Sequence, residues 1–193
     1  MGNIFFTSDT HFDDDRLEIF SRPFKTVKEM NDTIVKNWNS VVSKDDTVYH
    51  LGDFAVDPSG YDFVKKLNGK IHLILGNYDI DNIDKFDHKL FESIQKDMTL
   101  DIKGTEYYIT HKPTETIPDQ FNLCGHIHGL WRVANRNIIN VGTDAWHFYP
   151  IPDSKIEFQR NGMVNHYDDN VFVTEYMMNK TANKNEFDSN FTW

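Results

Sequence analysis

Two aspartates, one asparagine and four histidines stand in short polar motifs, each at the end of an apolar run. They are Asp9 and His11 in Ser8-Asp9-Thr10-His11, Asp53 after Gly52, and Asn77 in Gly76-Asn77-Tyr78-Asp79, followed by His111 after Thr110 and by His126 and His128 in Gly125-His126-Ile127-His128. Carboxylate, imidazole and amide oxygen are the ligands of hard and borderline divalent cations, and octahedral sites suited to Mn or Fe mix these types. Asp9 and His11 are two positions apart, so on an extended strand end both side chains point the same way. His126 and His128 repeat that spacing behind a glycine. Gly52, without a side chain, lets the backbone turn sharply and come close to a charged site. Any one such piece arises by chance, and a lone histidine is more often a core or surface residue than a ligand. Five in order, each ending a buried run, would be costly polar residues near a core unless a cation satisfied them. The set therefore points to metal binding, with Mn or Fe favoured over Zn, Ni or Mg.

The elements that must position these motifs are the runs themselves. Residues 3–7, 47–51, 70–75, 107–110, 122–124 and 137–141 read as buried strands of a layered α/β fold, delivering site residues from their carboxyl ends. Thr26-Val27-Lys28-Glu29 is a capping box that predicts a helix start. Val27, Met30, Ile34, Trp38 and Val41 then recur at helical spacing as a stripe that packs on the sheet, with Trp38 as core. A second helix is predicted over residues 59–67, burying Phe63, Val64 and Leu67, with Asn68-Gly69 as a left-handed stop. Past Val141 the alternation weakens. Residues 155–190 are polar and Asn-rich, with short apolar pieces such as Val171-Phe172-Val173, and read as a strand or two plus a mobile tail. The whole chain, 1–193, fits one domain, with 155–193 as a polar C-terminal extension.

Composition narrows the partners. A hydrophobic fraction of 39% with 14% aromatics is enough to build a core. A net charge of −10 with no basic run excludes long nucleic acid as an expected ligand. The acidic clusters Asp13-Asp14-Asp15 and Asp79, Asp81, Asp84, Asp87 read first as solvated loops. The single cysteine, Cys124, sits among apolar residues and reads as a buried structural thiol. No signal segment and no run of about 20 apolar residues is visible, so a soluble, cytoplasmic protein without a membrane partner is expected. His72, His88 and His166 belong to no motif and are assigned to structure or surface, and nothing in the sequence sets an oligomeric state.

The ordered motifs resemble the calcineurin-like metallophosphoesterase family, whose pattern is D-x-H, G-D, G-N-H-D/E, H and G-H-x-H. The resemblance covers residues 3 to about 152. Arg22-Pro23-Phe24, Trp38-Asn39, residues 48–54, and Asn140-Val141-Gly142 followed by Asp144 and Trp146 look more locally like small phosphoesterases of bacteria and phages. The resemblance implies a four-layer α/β/β/α sandwich with two divalent metal ions. Asp9, His11, Asp53 and His128 would hold one ion; Asp53, Asn77, His111 and His126 would hold the other, with Asp53 as the bridge. A bridging water, acidified to hydroxide between ions about 3.5–4 Å apart, would be the nucleophile on phosphorus.

The implied activity is hydrolysis of a small phosphate ester, a nucleotide-like or activated phosphodiester before a phosphomonoester, and a non-catalytic metal-binding interaction module is the reading from another class. Asn77, Tyr78, Asp79 and His111 are the residues expected at the reaction. Tyr78 departs from the pattern, since a histidine usually stands there to assist the leaving group. A phenol with a pKa near 10 is a weak acid at neutral pH but still donates a hydrogen bond, so esters with good leaving groups are the expected substrates. Asp79 would orient a water or a neighbouring group. Asp14 falls where relatives often carry another histidine, His50 reads as core or support, and Trp146 and His147 are placed at the rim.

Overall fold

A computed structural model gives the fold and describes residues 2–165. In chain order the elements are β1 (Ile4–Thr7), α1 (Val27–Val41), β2 (Thr47–His50), a 3-10 helix (Pro58–Lys66), β3 (Lys70–Ile74) and α2 (Asn77–Asn82). They continue with β4 (Ser93–Gln95), β5 (Met98–Ile102), β6 (Thr105–Ile109), β7 (Phe121–Cys124), β8 (Val133–Ala134), β9 (Ile138–Asn140), β10 (Ile151–Pro152) and α3 (Asp153–Asn165). All six apolar runs became strands. They form two five-stranded sheets, ordered β10-β1-β2-β3-β4 and β5-β6-β7-β9-β8. β1 to β4 are parallel in the first, and β6, β7 and β9 are parallel in the second. This is the layered α/β architecture that the motifs imply.

The two sheets share a core. Phe6, Tyr49 and Ile74 of the first meet Tyr107, Ile109, Leu123 and Ile139 of the second, and burying such side chains contributes about 1.5–3 kcal/mol each before entropy is counted. The other face of the first sheet, through Phe5, Val48, Ile71 and Leu73, packs on Met30, Ile34 and Trp38 of α1. The Thr26 hydroxyl caps α1 by accepting from Glu29 N at 3.1 Å. Glu29 reaches back to Lys25 N rather than to the cap residue. The buried stripe ends on Val42, at 2% exposure, and Val41 faces solvent. The Asn122 side chain bonds the main chain of Ile117 and Gln120, tying the loop that precedes β7 to that strand.

Three expectations change. The second helix is 3-10 rather than α, and it buries Gly60 and Tyr61, leaving Phe63, Val64 and Leu67 half-buried. A side chain at Gly60 would run into Ala55 and the Phe12 carbonyl, so the tight turn is set by that close approach. The polar stretch from residue 155 opens with α3, which was not foreseen and is anchored by Ile156 and Met163 in the inter-sheet core. Val171-Phe172-Val173 and His166 lie outside the described residues. The edge strands β4 and β5 were not foreseen, although Met98, Leu100 and Ile102 alternate with polar residues as a half-buried strand does. Among the described residues no helix is long and apolar enough to cross a membrane.

Candidate metal centre

The motif loops leave the carboxyl ends of β1, β2, β3, β6 and β7 and are stitched to one another by main-chain bonds. Asp9 N donates to Gly52 O at 2.9 Å, His11 N to Asp53 O at 3.1 Å, Thr143 N to Ser8 O at 2.9 Å, and Gly125 N to His111 O at 2.9 Å. Asp9, His11, Asp53, His126 and His128 all have left-handed backbone, with φ between 49° and 73°. That conformation is rare for residues with a side chain, and its cost of about 1–3 kcal/mol each is characteristic of functional sites. The two-residue spacing thus converges by tight left-handed turns, not by the extended geometry expected of strand ends. Gly52 has φ +96°, and a side chain there would meet Gly76 N and His111 Nδ1 at 2.6 Å. A side chain at Gly125 would strike the Ser8 hydroxyl and the Asp9 carboxylate, which explains the glycine before His126.

The folded loops bring the motif residues together in two groups. Donor atoms of Asp9, His11 and His128 lie within 4.8 Å of one another, and so do those of Asp53, His111 and His126. Asp53 Oδ2 sits between the groups, 3.3 Å from His111 Nε2 and 3.7 Å from His11 Nε2. The other Asp53 oxygen accepts from Tyr78 N at 2.9 Å, which sets Asn77 beside it. His11 Nε2 and Asn77 Oδ1 are buried without a hydrogen-bond partner among the described residues. Buried polar atoms are rarely left so, and a cation is the partner that imidazole nitrogen and amide oxygen share. The donor set therefore fits divalent metal ions.

Three of the four histidines are aimed through Nδ1. His111 Nδ1 bonds Leu51 O at 2.7 Å, and His128 Nδ1 bonds Asp144 Oδ2 at 3.0 Å. His11 Nδ1 is 3.2 Å from Asp14 Oδ2, a close contact that is too far out of line for a hydrogen bond. Each arrangement leaves Nε2 for the centre, as ligating histidines require. Burial opposes charge on His111, but its hydrogen bond to Asp53 and the attraction of Asp9 and Asp53 outweigh that and lift its pKa to about 9. Burial, the same His111 and neighbouring Lys112 outweigh the pull of Asp9 and Asp53 and push His126 down. The same carboxylates thus face two histidines that burial and neighbouring charge drive in opposite directions.

Other predicted residues fall into place around this centre. Asp79 is fully buried and its carboxylate accepts from Asp53 N, Phe54 N, Gly76 N and Tyr61 Oη at 2.7–3.1 Å, clamping two motif loops together. Burial raises its pKa against those hydrogen bonds. His50 is buried against Thr10 Oγ1 at 2.9 Å, and burial drives its pKa to about 3, so it is a neutral support. Tyr78 accepts from Arg16 Nη1 at 2.7 Å, and its ring meets His11 edge-on at 5.2 Å. Trp146 is core rather than rim, donating to Asn140 O at 2.7 Å, while His147 is exposed. Cys124 is buried, and desolvation raises its pKa. The acidic clusters are not uniformly solvated: Asp14 and Asp79 are buried because each holds a neighbour of the centre, while Asp15, Asp81, Asp84 and Asp87 are exposed.

Sequence reasoning gave no individual role to Arg16, Phe20, Arg22 or Asp144. Arg22 is wholly buried and donates to Asp144 through Nε and Nη2, both at 2.8 Å, and to the carbonyls of Asp9 and Thr10. The Phe20 ring stacks on His128 at 4.4 Å. The signal that the sequence did carry was that Arg22 and Asp144 both stand in the stretches that look like small phosphoesterases.

The model of the calcineurin-like phosphoesterase superfamily domain matches residues 3–150. An uncharacterized protein of Methanocaldococcus jannaschii is 30% identical over 165 residues, covering 78% of this chain and 87% of that protein. The gene 66 protein of Mycobacterium phage L5 is 31% identical over 183 residues, covering 76% of this chain and 88% of its own. The crystal structure of a protein of unknown function from Aquifex aeolicus superposes with a TM-score of 0.64 at 24% identity, covering 82% of this chain and 99% of that one, a likeness in fold. With the family model spanning most of its length and its motif loops gathered at one edge of the paired sheets, the chain belongs to the calcineurin-like phosphoesterase superfamily.

Proposed function

We propose that this protein is a two-metal phosphoric ester hydrolase acting on small phosphodiesters. Asp9, His11, Asp53 and His128 would hold one divalent cation and Asp53, Asn77, His111 and His126 the other, with Mn or Fe the best match to the mixed oxygen and nitrogen donors. The observation that carries this reading is Asp53 Oδ2, placed 3.3 Å and 3.7 Å from a histidine nitrogen of each group. Such a pair of cations supplies a nucleophilic water at neutral pH and neutralises charge on the phosphoryl oxygens. The chain itself fixes the ligands, through Asp144 and Leu51 O behind two histidines and Asp79 behind the Asp53 loop.

A diester needs room for a second organic group. A cavity of about 860 Å³ opens beside His126 and His128, walled by Ile19, Phe20, Leu130 and Phe148. Its size is that of small-ligand sites and its walls suit a flat, uncharged group such as an aryl ring or a nucleobase. Among the described residues no lysine or arginine lines it, which agrees with a small ester rather than a polyanion.

Metal content and turnover of bis-aryl and mono-aryl phosphates, with Mn added, test the proposal. The wild type is expected to bind two Mn per chain and to turn over the bis-aryl ester faster. Asp53→Asn should lose at least a hundredfold in rate, beyond the roughly 10–100-fold that follows loss of an outer partner. Wild-type protein without bound metal, or Asp53→Asn with undiminished rate, would overturn the hydrolase reading; faster mono-aryl turnover would overturn only the diester preference.

A further inference from the structure

Tyr78, which departs from the family pattern, and Asp14, which falls where small relatives often carry another histidine, meet at one side chain, Arg16. Asp14 is buried and grips the guanidinium side-on, accepting from Nε at 2.9 Å and Nη2 at 2.6 Å, with Arg16 N adding a third bond at 3.0 Å. Nη1 donates to Tyr78 Oη at 2.7 Å. A guanidinium has five N–H donors, so two remain on a side chain that is 35% exposed. The Tyr78 oxygen already accepts from Arg16, which turns its own hydrogen away from the guanidinium. The Tyr78 amide is bonded to Asp53 Oδ1, and its ring lies 5.2 Å from that of His11. The guanidinium lies 5.4 Å from the centre of the Phe20 ring and 5.1 Å from that of the Tyr78 ring, and both rings pack on His11, so Arg16 is one side chain removed from that ligand.

A simple latch between this loop and α2 would not need spare donors or a buried carboxylate fixing the direction of the fork. A bidentate anchor loses little further entropy when the arginine engages a ligand, which is how planar recognition of phosphoryl oxygens is built. We propose that Arg16 and Tyr78 form a phosphoryl-oxygen site, anchored by Asp14, that binds the substrate's anionic phosphate beside the metal centre. The site donates two hydrogen bonds, one N–H and one O–H, and transfers no proton. Arg16 contributes direction as well as its own bond, because it fixes which way the phenol donates. For its ligand this assignment rests on the hydrolase reading.

Titration with inorganic phosphate, followed by calorimetry with and without added Mn, tests it, with Mn content measured on each sample. A hydrogen bond to a charged group contributes about 1.5–3 kcal/mol and each tenfold corresponds to about 1.4 kcal/mol, so Arg16→Met should weaken phosphate binding about 10- to 100-fold. Tyr78→Phe should weaken it about three- to tenfold, and the double variant should be no weaker than Arg16→Met alone. Mn content should be unchanged in all three. Wild-type affinity in Tyr78→Phe overturns the site even if Arg16→Met folds poorly, since that change removes one oxygen only. Fully independent losses in the double variant overturn the claim that Arg16 directs the phenol. A wild type that takes up no Mn but binds phosphate through Arg16 would sink the hydrolase reading and leave this site standing, whereas Mn uptake without phosphate binding would do the reverse.

Discussion

Around Asp9 the supports are charged side chains, whereas around Asp53 they are main-chain amides gathered on one carboxylate. On the Asp9 side, Arg22 and Asp144 pair out of solvent, Asp144 holds His128, and Asp14 lies against His11. On the Asp53 side, Asp79 accepts three amides and the Tyr61 hydroxyl, and Leu51 O holds His111. The same task, fixing ligands on strained left-handed turns, is thus done by two kinds of force. Ion pairs taken out of water gain Coulomb energy against a large desolvation cost, so their net value depends on both partners being present and ionised. Amides converging on a carboxylate fix backbone geometry directly, and each leaves an unsatisfied donor if the acceptor is removed.

The comparison breaks hardest at Asp79. Asp79→Ala strands four donors that no other group among the described residues accepts, at about 1–3 kcal/mol each, so a loss of about 4–12 kcal/mol is expected in urea unfolding of metal-free protein. That is comparable to the whole stability of an ordinary domain. A loss below about 2 kcal/mol would mean that water replaces the carboxylate and that the clamp is not structural. Arg22→Met should cost less, about 3–5 kcal/mol, by leaving Asp144 buried with only His128 as partner. Pairing it with Asp144→Leu should recover part of that loss, as replacing both members of a buried ion pair often does. No recovery in the double variant would show that the Arg22 bonds to the Asp9 and Thr10 carbonyls, rather than the ion pair, carry the effect.

The contrast also explains what was legible in the sequence. Strands β1, β2, β3, β6, β7 and β9 were, because each is a short apolar run, and so was α1, because its cap and its Met30, Ile34, Trp38 stripe are local. The convergence of Asp9, His11, Asp53, His111, His126 and His128 followed from motif order. The supports did not, since Arg22 and Asp144 are 122 positions apart and nothing in either motif names the other. Asp79 was visible as a motif residue, but two of the amides that donate to it come from a turn 25 to 26 positions earlier. Left-handed backbone at Asp9 and His128 leaves no trace in residue type, because only glycine advertises it. α3 was missed for a different reason: its only buried side chains, Ile156 and Met163, are two turns apart and make too thin a stripe to stand out from polar neighbours.

The smallest expected effect separates the two sides by acid. Burial opposes ionisation of Asp144, but hydrogen bonds from His128 and Arg22 and their charges outweigh it and hold its pKa at about 2, below the ordinary 3.8. A carboxyl depressed in the folded state binds fewer protons there than in the unfolded chain. Its contribution is therefore complete above about pH 4 and is lost as pH falls through about 2. A depression of this size is worth about 2 kcal/mol, so the stability gap between wild type and Asp144→Asn should be widest above pH 4 and narrow by about that amount by pH 2. Denaturant unfolding of metal-free protein across that range measures it. A gap that stays constant down to pH 2 would mean that Asp144 acts through shape alone, and the charged character assigned to the Asp9 side would fall with it.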